Sequence, residues 1–155
     1  MTVSALSAAK YACAYSGWSL SNLELQKILY IAHMYHMGKF RNPLLDGNFE
    51  AWDYGPVHPT IYHRAKVYGA APVGNVFHSV EELDGNSTEG SVIRGTVDRF
   101  RNYEPGQLVA ITHSKISGWY NNYRPGARGM AIPNQDIMNE FEERQRRAGE
   151  HRATT

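Results

Sequence analysis

Apolar side chains recur at helical spacing through Leu25, Ile28, Leu29, Ala32 and Tyr35, with Leu23 and Ile31 widening the stripe. That spacing predicts a helix, and so broad a stripe predicts one at the centre of a core. Ser21 precedes Glu24 by three residues, the spacing of a capping box, in which each side chain satisfies a free backbone N–H of the other. Gly38, ahead of the turn-forming Arg41-Asn42-Pro43 and Asp46-Gly47, is expected to end this helix. An earlier helix is expected at residues 4–16, where Leu6, Ala9, Tyr11, Cys13 and Ala14 fall in a stretch free of glycine and proline. Ser4 can cap it, and Gly17 can stop it in the left-handed region.

The pattern changes at residue 49. Phe49, Ala51 and Asp53 alternate with Glu50, Trp52 and Tyr54, which predicts a short extended arm ended by Gly55-Pro56. Val57-His58-Pro59-Thr60 then opens a helix, because proline suits a first turn where its missing N–H is not needed. Ile61, Tyr62, Ala65 and Tyr68 give that helix an apolar side, ended by Gly69. Residues 70–90 carry Pro72, Gly74, Asp84-Gly85 and Gly90 and are expected to be irregular, with order only at 76–80. Further helices are expected at 91–103 and 105–112, a short helix and turn at 117–126, and a last helix capped by Asn134 and carrying Ile137, Met138 and Phe141. From residue 142 the side chains are almost all charged or small, which reads as a solvated helix end and frayed tail. The expected class is mainly α: a compact single-domain helical fold with at most a short β element near residues 49–54. Its domain spans 1–141 and its charged tail 142–155.

Composition narrows the functional classes. A chain of 155 residues fits one domain. Its net charge of +1 supplies no global field to draw nucleic acid or an anionic membrane. The tail's Arg144, Arg146, Arg147 and Arg152 alternate with Glu142, Glu143 and Glu150 and lack aromatic neighbours for base stacking, which also disfavours nucleic acid. The single cysteine, Cys13, fits a reducing compartment. No signal-like start and no run approaching roughly 20 apolar residues is present, so a cytoplasmic protein without a membrane partner is expected.

Candidate chemistry is sparse. His33 and His36 are three apart and could face one ligand, but a zinc site needs three or four ligands, and the chain has no His-Glu-x-x-His and no second cysteine. Both read as hydrogen-bonded histidines. His58, His63 and His113 lack the nucleophile or metal that a hydrolytic site requires, and Cys13 in an apolar helix reads as an inert thiol. No catalytic residue, metal or cofactor is expected. Glu50, Trp52, Asp53 and Tyr54 differ: aromatic area and carboxylates beside a rigid Gly55-Pro56 turn suit a partner-binding edge. The same residues also fit a structural role, with Phe49 and Trp52 plugging the core and Asp53 capping the turn. Gln26 and Lys27 occupy polar positions on the core helix; Lys27 reads either as a buried salt bridge to Glu50 or Asp53, or as a partner contact.

Two segments carry a resemblance that these patterns do not supply. Leu20-Ser21-Asn22-Leu23 followed by Leu25-Gln26-Lys27-Ile28-Leu29-Tyr30, and Phe49-Glu50-Ala51-Trp52 followed by Gly55-Pro56-Val57 with Pro59 and Tyr62, resemble the SocA-like Panacea domain. Leu108, Thr112-His113 and Trp119 follow in the family's order, as do Ile132, Ile137 and Phe141 near its end. Glu24, where the family often has a basic residue, and the variable residues 70–90 depart from it. The resemblance implies a mainly helical antitoxin that binds and neutralises a toxin encoded beside it, without turnover. One branch of the family implies a second partner, a bacterial protease to which the toxin is delivered; the resemblance alone does not carry that role to this chain. The partner-binding residues chosen on these grounds are Lys27, Glu50, Trp52, Asp53, Tyr54, Tyr62 and His113. The alternatives are a metal-dependent hydrolase built on His33, His36 or His113, and a DNA-binding autoregulator. Oligomeric state stays open.

Overall fold

A computed structural model describes the backbone of residues 2–154 and the side chains of residues 2–150. In chain order the elements are α1 (Ala5–Tyr15), α2 (Asn22–Phe40), β1 (Glu50–Trp52), β2 (Gly55–Val57), α3 (Pro59–Ala65), α4 (Thr88–Phe100), α5 (Pro105–Thr112), α6 (Gly118–Asn122) and α7 (Asn134–Thr154). A 3-10 turn over Lys66–Tyr68 extends α3. The protein is therefore mainly helical with one small antiparallel sheet, as the residue pattern implies. Among the described residues no helix is long and apolar enough to cross a membrane.

Helix α2 is the axis of the molecule. It packs against α1, α3, α4, α5, α7 and β2, and Leu25, Ile28, Leu29, Tyr30 and Ala32 are fully buried. Its start is the expected capping box: Ser21 Oγ accepts from the Glu24 N–H at 3.2 Å, and Glu24 Oε1 accepts from the Ser21 N–H at 2.9 Å. Ser4 likewise caps α1, whose end passes through Gly17 at φ +74°.

Gly38 does not stop α2. The helix runs to Phe40 and ends at Arg41, itself left-handed at φ 63°. The glycine serves a tertiary contact instead: a Cβ there would come within 2.0 Å of the Phe141 ring, which α7 presses against α2. Gly90 has a similar explanation. It lies inside α4 rather than in the preceding loop, and a Cβ on it would meet the Asp84 carbonyl at 2.8 Å. Helix α4 accordingly begins at a Ser87 cap, earlier than the apolar pattern implies, and ends at Phe100. Residues 76–80 form no regular element; Val73 and Phe77 pin this stretch by inserting fully into the core.

Gly55-Pro56 begins a return strand rather than ending the extended arm. Glu50 pairs with Val57, Ala51 with Pro56 and Trp52 with Gly55, leaving Asp53 and Tyr54 as a two-residue turn. Gly55 at φ +119° makes so sharp a reversal possible, and Pro56 is tolerated because β2 is an edge strand. On its other edge β1 pairs with the chain before α7: the Ala51 N–H donates to the Met130 carbonyl at 2.9 Å, and the Ile132 N–H to the Phe49 carbonyl at 2.8 Å. Helix α7 continues unbroken past Phe141, and Arg144 reaches back to the Ile111 carbonyl at 2.8 Å. Arg146 pairs with Glu143 and Glu150, and Arg147 with Glu143, while the side chain of Arg152 lies outside the described residues.

Gly38→Ala should destabilise the protein by about 2 kcal/mol, because overpacking at the Phe141 ring outweighs alanine's better helix propensity. Phe141→Ala in the same chain should remove most of that added penalty. Urea unfolding of the two single variants, the double variant and the parent measures both; a Gly38→Ala protein more stable than the parent would refute the contact's role.

Candidate functional site

The hairpin β1–β2, the start of α2, α3 and the loop at 126–128 enclose a cleft of about 520 Å³. Lys27, Trp52, Asp53, Tyr54 and Tyr62 all line it, so five sequence-chosen residues meet at one place. Glu50 and His113 do not line it; they brace residues that do. A larger groove of about 1050 Å³ runs between α2, α4 and α7 past Tyr35, Phe40 and Phe100, and none of the chosen residues lines that one.

The walls are aromatic and held in place. Trp52 meets Tyr62 edge-on at 4.7 Å between centroids, and the Arg128 guanidinium covers its face at 4.1 Å. The Trp52 indole N–H donates to Glu50 Oε1 at 2.9 Å, and the same oxygen accepts from the Gly129 N–H at 3.0 Å. Behind the hairpin, the Trp119 indole N–H donates to the Trp52 carbonyl at 2.7 Å. The Trp119 ring lies between two others, His113 at 3.7 Å and Tyr123 at 4.5 Å, both stacked. At the turn, Asp53 Oδ1 accepts from the Tyr123 hydroxyl at 2.7 Å and the Gly126 N–H at 2.9 Å. Those bonds, the tyrosine's first, hold the Asp53 carboxyl below its ordinary pKa. Tyr54, 75% exposed, projects from the rim. Phe49, by contrast, is core, packed edge-on against Tyr30.

Gln26 and Lys27 part company. Gln26 is buried and structural: its Oε1 accepts from the His58 N–H at 2.7 Å, fastening the β2–α3 junction to α2. Lys27 does not form the expected salt bridge with Glu50 or Asp53, because both carboxylates are turned to hairpin and loop donors. Its Nζ donates instead to the Pro56 carbonyl at 3.2 Å. Burial lowers its pKa from 10.5 to about 7. His113 stacks on Trp119, and its Nε2 is buried beneath the hairpin turn. Burial lowers the His113 pKa, and the Lys27 charge acts in the same direction against the Tyr54 carbonyl.

The other histidines are occupied elsewhere. His33 Nδ1 accepts from the Leu45 N–H at 3.2 Å, so its Nε2 donates to Asn134 Oδ1 at 3.1 Å, and burial pushes its pKa down to about 4. His36 Nδ1 bonds the Asn42 carbonyl at 2.9 Å, and His58 Nε2 the Asp46 carbonyl at 2.8 Å. Among the described residues no three His, Cys, Asp or Glu side chains gather as a metal site would need. Cys13 is buried, and its thiol pKa is pushed up to about 12 by burial.

Arg128 is the cleft residue that the sequence reading missed. Its signal was an arginine in a glycine-rich loop, Arg124-Pro-Gly-Ala-Arg128, with no local cue that pairing at residues 130–132 would deliver it to Trp52.

These elements define a small, mainly helical domain with a braced hairpin beside an aromatic cleft. The family model described as "Antitoxin SocA-like, Panacea domain" matches residues 25–120, and the chain belongs to that family. It is similar to the protein named Antitoxin SocA of Caulobacter vibrioides (strain NA1000 / CB15N), at 32% identity over 109 residues. That match covers 64% of this chain and 58% of the relative, so the chain spans little more than half the relative's length. No solved structure matches.

The lowered Lys27 pKa sets a sign for stability. Between about 7 and 10.5 the unfolded chain binds a proton at Lys27 that the folded chain does not, so stability rises with pH across that window. Lys27→Met should be the more stable protein near neutral pH and should lose this component of the rise. Urea unfolding of both proteins at a series of pH values above neutrality tests it, and parallel pH profiles would refute the buried-amine description.

Proposed function

We propose that this protein neutralises a cognate toxin, encoded beside it, by direct and stoichiometric binding, with the hairpin cleft as its contact surface. The observation that carries the reading is the meeting of Lys27, Trp52, Asp53, Tyr54 and Tyr62 in one cleft of a chain that belongs to an antitoxin family. The first four lie on α2 and the hairpin, and Tyr62 on α3, so the surface is presented by regular elements and the tight turn between two of them.

The mechanism asks only for a buried interface. Tyr54 and Trp52 supply aromatic anchors whose two side-chain torsions cost little to fix on binding. Asp53 and Arg128, of opposite charge and both lining the cleft with Trp52, favour a partner of matching pattern. Inhibition follows from covering the toxin's working surface, with no bond made or broken. Both partners would act in the cytoplasm, where the buried free thiol of Cys13 is at home.

Co-expression of this chain with each neighbouring gene product, followed by growth rescue and pull-down, tests the reading. A product toxic alone, harmless with this protein and recovered with it is the expected result. Tyr54→Ala, at an exposed position that folding does not use, should weaken the complex by about 2 kcal/mol, roughly thirtyfold. Val67→Ala, equally exposed on the 3-10 turn and not part of the cleft lining, should leave it unchanged. Failure to find a toxic or bound neighbour sinks the antitoxin reading; equal effects of the two variants sink the choice of surface.

A further inference from the structure

Lys27 is the one cleft group that its surroundings do not explain. An ammonium carries three donors, yet at 1% exposure this one meets a single acceptor, the Pro56 carbonyl. No carboxylate pairs with it among the described residues. The two hairpin acids are committed elsewhere, Glu50 to Trp52 and Gly129, and Asp53 to Tyr123 and Gly126. Replacing a buried, incompletely partnered charge by an apolar side chain is often stabilising, so the fold itself gives no reason for lysine here.

The hairpin nevertheless makes room for it. A Cβ on Gly55 would come within 2.5 Å of Lys27 Cε and 3.0 Å of Nζ, so only glycine lets the amine lie under the turn. The same point is 3.3 Å from His113 Nε2, which is also buried. Two buried nitrogens, one of them an ammonium short of acceptors, therefore flank one spot beneath the hairpin. Above them the cleft is walled by Leu23, Val57, Trp52 and Tyr62, with a second cation, Arg128, at the rim.

We propose that this cleft receives an acidic side chain of the bound partner, its carboxylate pairing with the Lys27 ammonium and its methylene stem packing between Trp52 and Tyr62. The apolar walls suit an aliphatic stem ending in a small anion better than a fully hydrated phosphate, and exclusion of water strengthens the ion pair. The naming of the partner as a toxin rests on the antitoxin reading, whereas the chemistry of the cleft does not. The groups that share the amine's surroundings are His113, on which its charge acts, and Asp53 and Arg128, which line the same cleft, with Glu50 behind Trp52. Because burial leaves the free amine with a pKa of about 7, binding a carboxylate takes up a proton. Affinity should then fall about tenfold per pH unit above that value.

The test uses the full chain and two probes, N-acetylglutamate N-methylamide and its uncharged glutamine counterpart, each titrated in the millimolar range. The readouts are the Lys27 side-chain NMR signals and the Trp52 indole N–H. The glutamate probe should shift both signals saturably, with the stated pH dependence, and the glutamine probe should not. Lys27→Met should abolish the response, and its far-UV circular dichroism and thermal melt establish that it folds. Equal responses to the two probes, no response to either, or an unchanged response in Lys27→Met would overturn the proposal. If Lys27→Met does not fold, the contrast between probes and the pH profile of the parent still decide it. In cells, a parent that neutralises its toxin beside an equally effective Lys27→Met variant overturns the proposal and leaves the antitoxin reading standing. A parent with no toxic or bound neighbour overturns the antitoxin reading, while the probe titration still decides the cleft.

Discussion

The fold depends on the complete burial of α2 from Leu25 to Met34. A helix so enclosed cannot turn its polar side chains to water, and a buried polar atom without a partner costs about 1–3 kcal/mol. Gln26, Tyr30 and His33 each find a match on a neighbouring element, and in doing so fix that element's position. Gln26 fastens the β2–α3 junction; His33 joins the Leu45 backbone to the first residue of α7. Tyr30 donates to Glu140 at 2.6 Å, and this buried carboxylate also takes the Gly118 N–H and Arg144. One hydroxyl thus registers α2, α6 and α7 together. Cooperative networks of this kind specify a single arrangement where apolar packing alone would allow several.

The sequence revealed what local chemistry dictates. The capping box at Ser21 and Glu24, the Ser4 cap, the left-handed Gly17, and the prolines opening α3 and α5 all involve neighbours a few residues apart, and all appear where their residue types imply. What it concealed is long-range. Gly38 looks like a helix stop, yet its lack of a side chain answers the Phe141 ring, from the far end of the chain. Gly90 looks like a loop glycine and answers the Asp84 carbonyl. Gly55-Pro56 looks like a terminator, because nothing local shows that the chain folds back and pairs residue by residue with β1. The cleft divides in the same way. Lys27, Trp52, Asp53, Tyr54 and Tyr62 were legible from two short motifs, whereas Arg128 is brought in by backbone pairing across the sheet edge. Of the two readings of Lys27, the salt bridge fails for the same reason: Glu50 and Asp53 answer donors on the 123–129 segment, which no helical or strand periodicity connects to them.

The cleft is built in two layers of different rigidity. Its base belongs to α2 and the hairpin, inside the segment matched by the family model, and is tied down through Trp119, the Pro56 carbonyl and the buried Gln26. Its rim is Tyr54 at the turn, which is 75% exposed, and Arg128 on a loop beyond that segment, which covers the face of Trp52. A stoichiometric inhibitor gains from such a division. Affinity is lost when an interface must be ordered on binding, so a preorganised base lowers that cost, while partner choice is a difference between affinities that rim charges and rings can alter. Under the proposed acidic contact, the same architecture gives the buried amine its place. In a rigid, water-poor base a single cation discriminates strongly between a partner that supplies an anion and one that does not, since the mismatched complex leaves the charge desolvated and unpaired. On the rim the same charge would be screened by salt and water and would discriminate weakly.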